Sequence, residues 1–270
     1  MTKTKILLDS SVIVSASIQA NVASIGATVN HRFHEDSIHL FNIFRKRADE
    51  GIGITTKTVR DESFHTLPKA VKNSIQENLP AQKDKQKKLF DETTSIINLC
   101  DNKMRDLFST LLLETPSNEI VQSCVTDVND MSEYIKTCYK SRYINRMNRN
   151  IKAKHRKSKT KPNWFKALKA DVYYEQRLQV ERETVQMKKF MSKYPNSGDS
   201  KILAEAVAIK RQMESDGEDV DFYIASSDTG FFSPPRVMDG AKSDIVTNEI
   251  KTRFGIICDF PAEIRRLANL

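Results

Sequence analysis

The 270-residue sequence predicts an α/β fold, a parallel sheet with helices on both faces, interrupted by a large and mainly helical insertion. Three observations lead there. Short apolar runs alternate with helical periodicity at both ends of the chain, the pattern of βαβ units. Glycine and proline number only eight each, so long helices meet few breaks. Between positions 66 and 195 the strand pattern stops and the chain turns polar, basic and helical in period. The α/β part is therefore discontinuous, residues 1–65 and 196–270, with 66–195 inserted. Its two pieces together are the size of one ordinary domain.

In chain order, residues 5–9, KILLD, read as a buried strand closed by an acid. SVIVSASI follows and fits both an extension of that strand and the opening of a helix. Residues 31–49 predict a helix with Phe33, Ile38, Leu40, Phe41 and Phe44 as apolar positions. Arg45, Lys46 and Arg47 stand in its last turn, where cations suit the helix dipole. Gly51 and Gly53 end it, and GIGIT is a brief strand. Thr55 or Thr56 then caps a helix carrying Val59, Glu62 and Phe64. In the insertion, residues 87–114, 125–147 and 171–194 have amphipathic helical period, with Pro68, Pro80, Pro116 and Pro162 as breaks. GDSKILAEAVAIKRQMES is a helix with Asp199 in its first turn. FYIA is a strand that runs into serines and Asp228. SDIVTNEIKTRF is a helix capped by Ser243 or Asp244, GIICDFP is a last strand, and a short helix closes the chain.

Composition narrows the function. With 39% hydrophobic and 29% charged residues the chain can build a core, which excludes a disordered or collagen-like protein. The four cysteines form no CxxC pair, so a zinc ribbon is excluded and core or surface thiols are expected. No apolar run approaches the ~20 residues a bilayer needs. The N-terminus resembles a signal peptide only superficially. Asp9 sits within its apolar stretch, where a charge costs about 2.5–3.5 kcal/mol on insertion. A cytoplasmic protein with no membrane partner is the expectation.

The net charge of +8 is concentrated. Between Lys136 and Lys169 there are thirteen Lys or Arg and no Asp or Glu, and removing them leaves the rest of the chain at −5. A mildly acidic body with one strongly basic segment points to a polyanion, nucleic acid first. Cations there interleave with Tyr143, Trp164 and Phe165, which suits phosphates and stacked bases. The candidate RNA-binding residues are Arg142, Arg146, Arg149, Lys152, Lys154, Arg156, Lys157 and Trp164.

The acids fall where such a fold binds ligands. Asp9 and Asp228 end predicted strands. Glu62 and Asp199 lie near helix starts, which face the same edge after βα connections. Four carboxylates in one cleft repel unless a cation neutralises them or some protonate. Oxygen-only ligands select Mg²⁺ or Mn²⁺, a standard device for phosphodiester cleavage. Asp61 competes with Glu62, but register places Glu62 with Val59 on the inward face. Glu205, inside an apolar helix, reads as an exposed position. His31, His34 and His39 read as surface histidines at a helix start. His34 and His39 are five apart, and HExxH needs four. The GIGITTK glycines lack the phosphate-loop pattern, and no G-x-S-x-G occurs.

ILLDSSVIV with Asp9, TTKTVRDE with Glu62, GDSKILAEA with Asp199 and IASSDTGF with Asp228 stand in the order seen in PIN domains. The closing FGIICDFP strand also fits. The sequence resembles this family of metal-dependent nucleases, which includes the VapC toxins, over its two flanks, about half the chain. The resemblance implies a Rossmann-like α/β/α sandwich and a Mg²⁺ or Mn²⁺ site held by Asp9, Glu62, Asp199 and Asp228. It also implies endoribonuclease activity and a hydrogen-bonding role for Ser226. It extends to dimer-forming relatives and, on the toxin branch, an antitoxin-like protein partner. Two other readings stay open here. One is an RNA-binding module on a PIN-like scaffold with little or no cleavage. The other is a DNA nuclease of the flap-endonuclease type.

Overall fold

The computed structural model describes residues 2–18, 31–77, 83–155, 197–234 and 244–270, with residues 182, 185, 187–189 and 194 between them. The sheet is five-stranded and all parallel, in the order β3-β2-β1-β4-β5. Strand β1 (Lys3–Leu8) occupies the centre. It pairs on one side with β2 (Gly53–Thr56), Ile6 opposite Gly53, and on the other with β4 (Val220–Ala225), Leu8 opposite Ala225. The edges are β3 (Leu112–Glu114) and β5 (Ile256–Asp259). Consecutive residues Ile6, Leu7 and Leu8 of β1, and Phe222 to Ala225 of β4, are all buried. Successive strand side chains point to opposite faces, so both faces of these strands are covered.

The helices do the covering. Helix α1 (Ser10–Ser17) follows β1 at once, which settles SVIVSASI as helix. Helix α2 (His31–Lys46) ends in a 3₁₀ turn, Ala48–Glu50, and Gly51 takes the left-handed φ of 57° that reverses the chain into β2. Helix α3 (Lys57–Glu77) opens with the Thr56 hydroxyl accepting from Val59 N–H at 3.3 Å. Helices α4 (Lys83–Phe108), α5 (Asn118–His155) and α6 (Ser197–Ser215) come next. After β4, α7 (Ile245–Phe254) is capped by Asp244, which accepts from Thr247 N–H, and Gly255 ends it. Helix α8 (Pro261–Leu267) closes the chain. Among the described residues no helix is long and apolar enough to cross a membrane. Cys100, Cys124 and Cys258 are buried and Cys138 is half-buried, all as free thiols.

Four expectations need correction. Pro68 lies inside α3 and does not break it. An interior proline costs about 3 kcal/mol, and buried Leu67 and Val71 on the same helix offset that at about 1.5–3 kcal/mol each. The stretch 87–114 is not one helix. Ser109 and Thr110 turn their hydroxyls back onto the carbonyls of Asp106 and Leu107, both at 2.7 Å, and close α4. Leu112–Glu114 then becomes the edge strand, inside the segment that reads as inserted. His34 is buried, its Nδ1–H donating to the Ser15 carbonyl at 2.6 Å and tying α2 to α1. Glu205 is also buried, against α3. The helical reading of 171–194 falls almost wholly outside the described residues.

Candidate active site

The strand order reverses between β1 and β4, and in open parallel sheets ligands bind beyond the carboxyl ends of the strands at that point. Asp9 is the residue after β1, its N–H extending the ladder to Ala225 O at 3.0 Å. Ser226 follows β4 and Asp228 lies two residues on. The switch point is thus flanked by two of the four acids.

Serines knit the two strand ends together. Asp9 is 1% exposed, and its Oδ2 accepts from Ser11 Oγ at 2.6 Å and from Ser226 Oγ at 2.7 Å. Ser226 Oγ accepts from Asp228 N–H at 3.0 Å, and Ser11 Oγ from Ser227 N–H at 3.1 Å. Asp9 Oδ1 is buried with no hydrogen-bond partner. Ser10 adds a hydrogen bond to Glu62. Ser10 and Ser11 are site residues that sequence reasoning missed. The signal was present: DSS after β1 mirrors SSD after β4.

Glycines set the helix ends close in. Asp199, 7% exposed, presses its carboxylate on Gly230, where any Cβ would overlap Asp199 Oδ2. Gly198 lies under Glu62, whose Oε1 would be 3.3 Å from a Cβ there. Glu62 is half-buried and Asp61 exposed, as register predicts, and Glu62 Oε2 is buried without a partner. Asp228 is the most open of the four acids.

Burial and neighbouring acids raise Asp9, Glu62 and Asp199. Burial, then the charges of Asp9, Asp228 and Glu62, push Asp199 up to about 8. Burial raises Asp9 as well, with Asp228 adding to it, while the hydroxyls of Ser11 and Ser226 pull it back. Burial, Asp9 and Asp228 raise Glu62. Glu205 is not among these charges. It accepts a hydrogen bond from the Thr58 hydroxyl through Oε1, and its Oε2 is buried without a partner.

Among the described residues no three His, Cys, Asp or Glu side chains are arranged to hold one metal ion. The donor set still suits a hard cation. It consists of carboxylates, two of them (Asp9 and Glu62) with a buried oxygen that nothing in the protein satisfies.

The RNA-binding candidates lie elsewhere. Arg142 is exposed on α5, and Arg146, Arg149, Lys152 and Lys154 follow on the same helix. Arg156, Lys157 and Trp164 are outside the described residues. Comparison with protein-family models, with curated proteins and with solved structures gave no match.

Proposed function

We propose that the chain is a cytoplasmic, Mg²⁺- or Mn²⁺-dependent endoribonuclease built on a PIN-like α/β/α sandwich. The observation that carries this reading is a set of mutually repelling carboxylates at the sheet's switch point, with buried oxygens left unpaired. Such an arrangement costs stability in a metal-free protein and is supported when a cation binds. Asp9, Asp199, Asp228 and Glu62 would hold the ion. When bound, it supplies Lewis-acid stabilisation of charge at the phosphodiester.

The chain's own groups prepare the site. Ser11 and Ser226 fix Asp9 through Oδ2 and leave Oδ1 for the ligand. Gly230 lets Asp199 sit where no side chain could share the space. Asp199, raised to about 8, holds a proton at neutral pH in the metal-free chain and would have to release it to serve as a ligand. The basic half of α5 supplies phosphate contacts outside the acidic mouth. A second reading, an RNA-binding module that cleaves little or not at all, rests on the basic half of α5, which offers phosphate contacts whether or not the acids hold an ion.

Incubation of the purified chain with single-stranded RNA and DNA, with Mg²⁺ or Mn²⁺ and with EDTA, separates these readings. RNA cleavage that EDTA abolishes is expected. Asp9→Asn keeps the size and removes a charge, and should lower the rate at least about 100-fold. A parent that binds RNA with no metal-dependent cleavage establishes the binding module instead. Preferential cutting of DNA establishes the flap-endonuclease type.

A further inference from the structure

Helix α5 changes character along one face. At about 100° per residue, Val121, Cys124, Val128, Met131, Ile135 and Tyr139 share an arc of about 80°, and all six are buried. The next positions in the same register are Arg142, Arg146 and Arg149. The stripe that packs α5 on α6 and α7 therefore turns from apolar to arginine without leaving its face. Lys136 and Lys140 lie on the opposite side, about 120–160° away from Arg142. No Asp or Glu occurs from position 134 to 170, although Lys136 pairs with Glu133 at 2.6 Å and Glu249 of α7 lines the cleft beside Arg142.

The change falls where α5 passes the carboxyl edge of the sheet. Arg253, in the last turn of α7, lies 5.2 Å from the ring centroid of Tyr134. The Tyr139 hydroxyl lies near Ser233 and near Asp244, the N-cap of α7. Arg142 and Ile245, the first residue of α7, line one cleft. The two helices are thus antiparallel. Because α7 leads into β5, a parallel strand, its first turn lies at the carboxyl edge, the edge of Asp9, Ser226 and Asp228. Beyond Arg142, α5 runs about 20 Å further, to His155.

We propose that the stripe of Arg142, Arg146 and Arg149 is a phosphate-binding ridge for single-stranded RNA at the mouth of the acidic site, and that the lysines of the opposite face contribute little to binding. The helix's packed half fixes which face the arginines occupy. Guanidinium groups grip phosphate bidentately and stay charged at every relevant pH, which suits a fixed ridge better than lysine. The choice of RNA rests on the nuclease reading; the geometry of the ridge does not.

Two full-length variants neutralise opposite faces: Arg142→Gln, Arg146→Gln, Arg149→Gln on the ridge, and Lys136→Gln, Lys140→Gln on the other side. Affinity for a fluorescein-labelled single-stranded RNA is read by anisotropy in EDTA across a salt series, so that binding is seen without cleavage. The arginine variant should bind about tenfold more weakly or worse, and its log–log salt slope should flatten by about 2. The lysine variant should stay within about twofold of the parent. A third variant, the three arginines changed to Lys, should recover part of the loss and guards against a folding defect. Equal losses in the two Gln variants, or no loss in the arginine variant, overturn the ridge. If the arginine variant alone loses binding and the parent shows no metal-dependent cleavage, the ridge stands and the nuclease reading falls.

Discussion

Asp9, Asp199 and Ser226 are all buried at the carboxyl edge, whereas Arg142, one turn past buried Tyr139 on α5, is exposed. The acids come from positions 9, 62, 199 and 228 and meet only because the sheet brings their elements to one edge. The arginines come from one helix and share a face because of its period alone. The first group is therefore tied to folding stability, through charges that repel inside the fold. The second is tied to it weakly, and its loss should be read in binding and in salt dependence. Under the proposed function, this separation would let chemistry and affinity be changed one at a time.

The largest test of the separation uses pH. In the metal-free chain Asp199 is raised from 3.8 to about 8, first by burial and then by Asp9, Asp228 and Glu62. The folded state then holds this proton more tightly than the unfolded chain does. Stability is greatest below pH 4 as far as this group is concerned, and is lost as pH rises from about 4 to about 8. Asp9 and Glu62, raised as well, act in the same direction. In EDTA the melting temperature should fall across this window. Asp199→Asn should remove much of the fall and be the more stable protein at pH 8. Millimolar Mg²⁺ should also restore the parent at high pH, by about 2.7 kcal/mol at a hundredfold excess over Kd. Parent and Asp199→Asn melting profiles of equal slope would show that the acids do not share one site. The arginine variant of α5 should reproduce the parent profile.

A smaller effect probes the basic arm, the segment from Lys136 to Lys169. Trp164 lies outside the described residues, within the basic segment. If its ring stacks on a base, Trp164→Ala should weaken RNA binding by about 1–3 kcal/mol with the salt slope unchanged, because no phosphate contact is lost. A flattened slope would assign Trp164 to the charge-dependent part of the arm. The EDTA melting profile should not move in either case.

What was legible in the sequence follows the same division. Asp9 and Asp228 could be found because each ends an apolar run, a local pattern. Glu62 was separable from Asp61 by register with Val59. The charge of the arm needed only counting, but its arginine face is visible only once the burial of Tyr139 and Ile135 marks the stripe. Long-range partners were the hidden part. His34 is buried where the Ser15 carbonyl, on another helix, accepts a hydrogen bond from its ring N–H. β3 is three residues long and starts only after Ser109 and Thr110 close the helix before it, too short for periodicity to reveal. Glu205 sits in a helix that is apolar nearly all round. Nothing in its own segment tells which face meets α3, or that Thr58, 147 residues away, supplies the hydroxyl.

Glu205 also gives the smallest and most discriminating expected effect. It is a fifth acid, buried like Asp199 and on the same helix, yet it does not contribute to the raised values of Asp199 or Glu62. If the four acids form the site and Glu205 is structural, two substitutions should part company. Glu205→Gln keeps an oxygen for the Thr58 hydroxyl, so stability and metal-dependent cleavage should both remain near the parent. Glu205→Ala leaves that hydroxyl unpaired and opens a gap between α3 and α6. It should cost about 1–3 kcal/mol of stability and leave the rate of the folded fraction within about twofold. Cleavage and thermal unfolding of both variants, measured at pH 7 with and without Mg²⁺, provide the check. A large loss of cleavage in the well-folded Gln variant would add Glu205 to the acidic site. Asp9, Glu62, Asp199 and Asp228 would then no longer be set apart from the rest of the helix pair by charge alone.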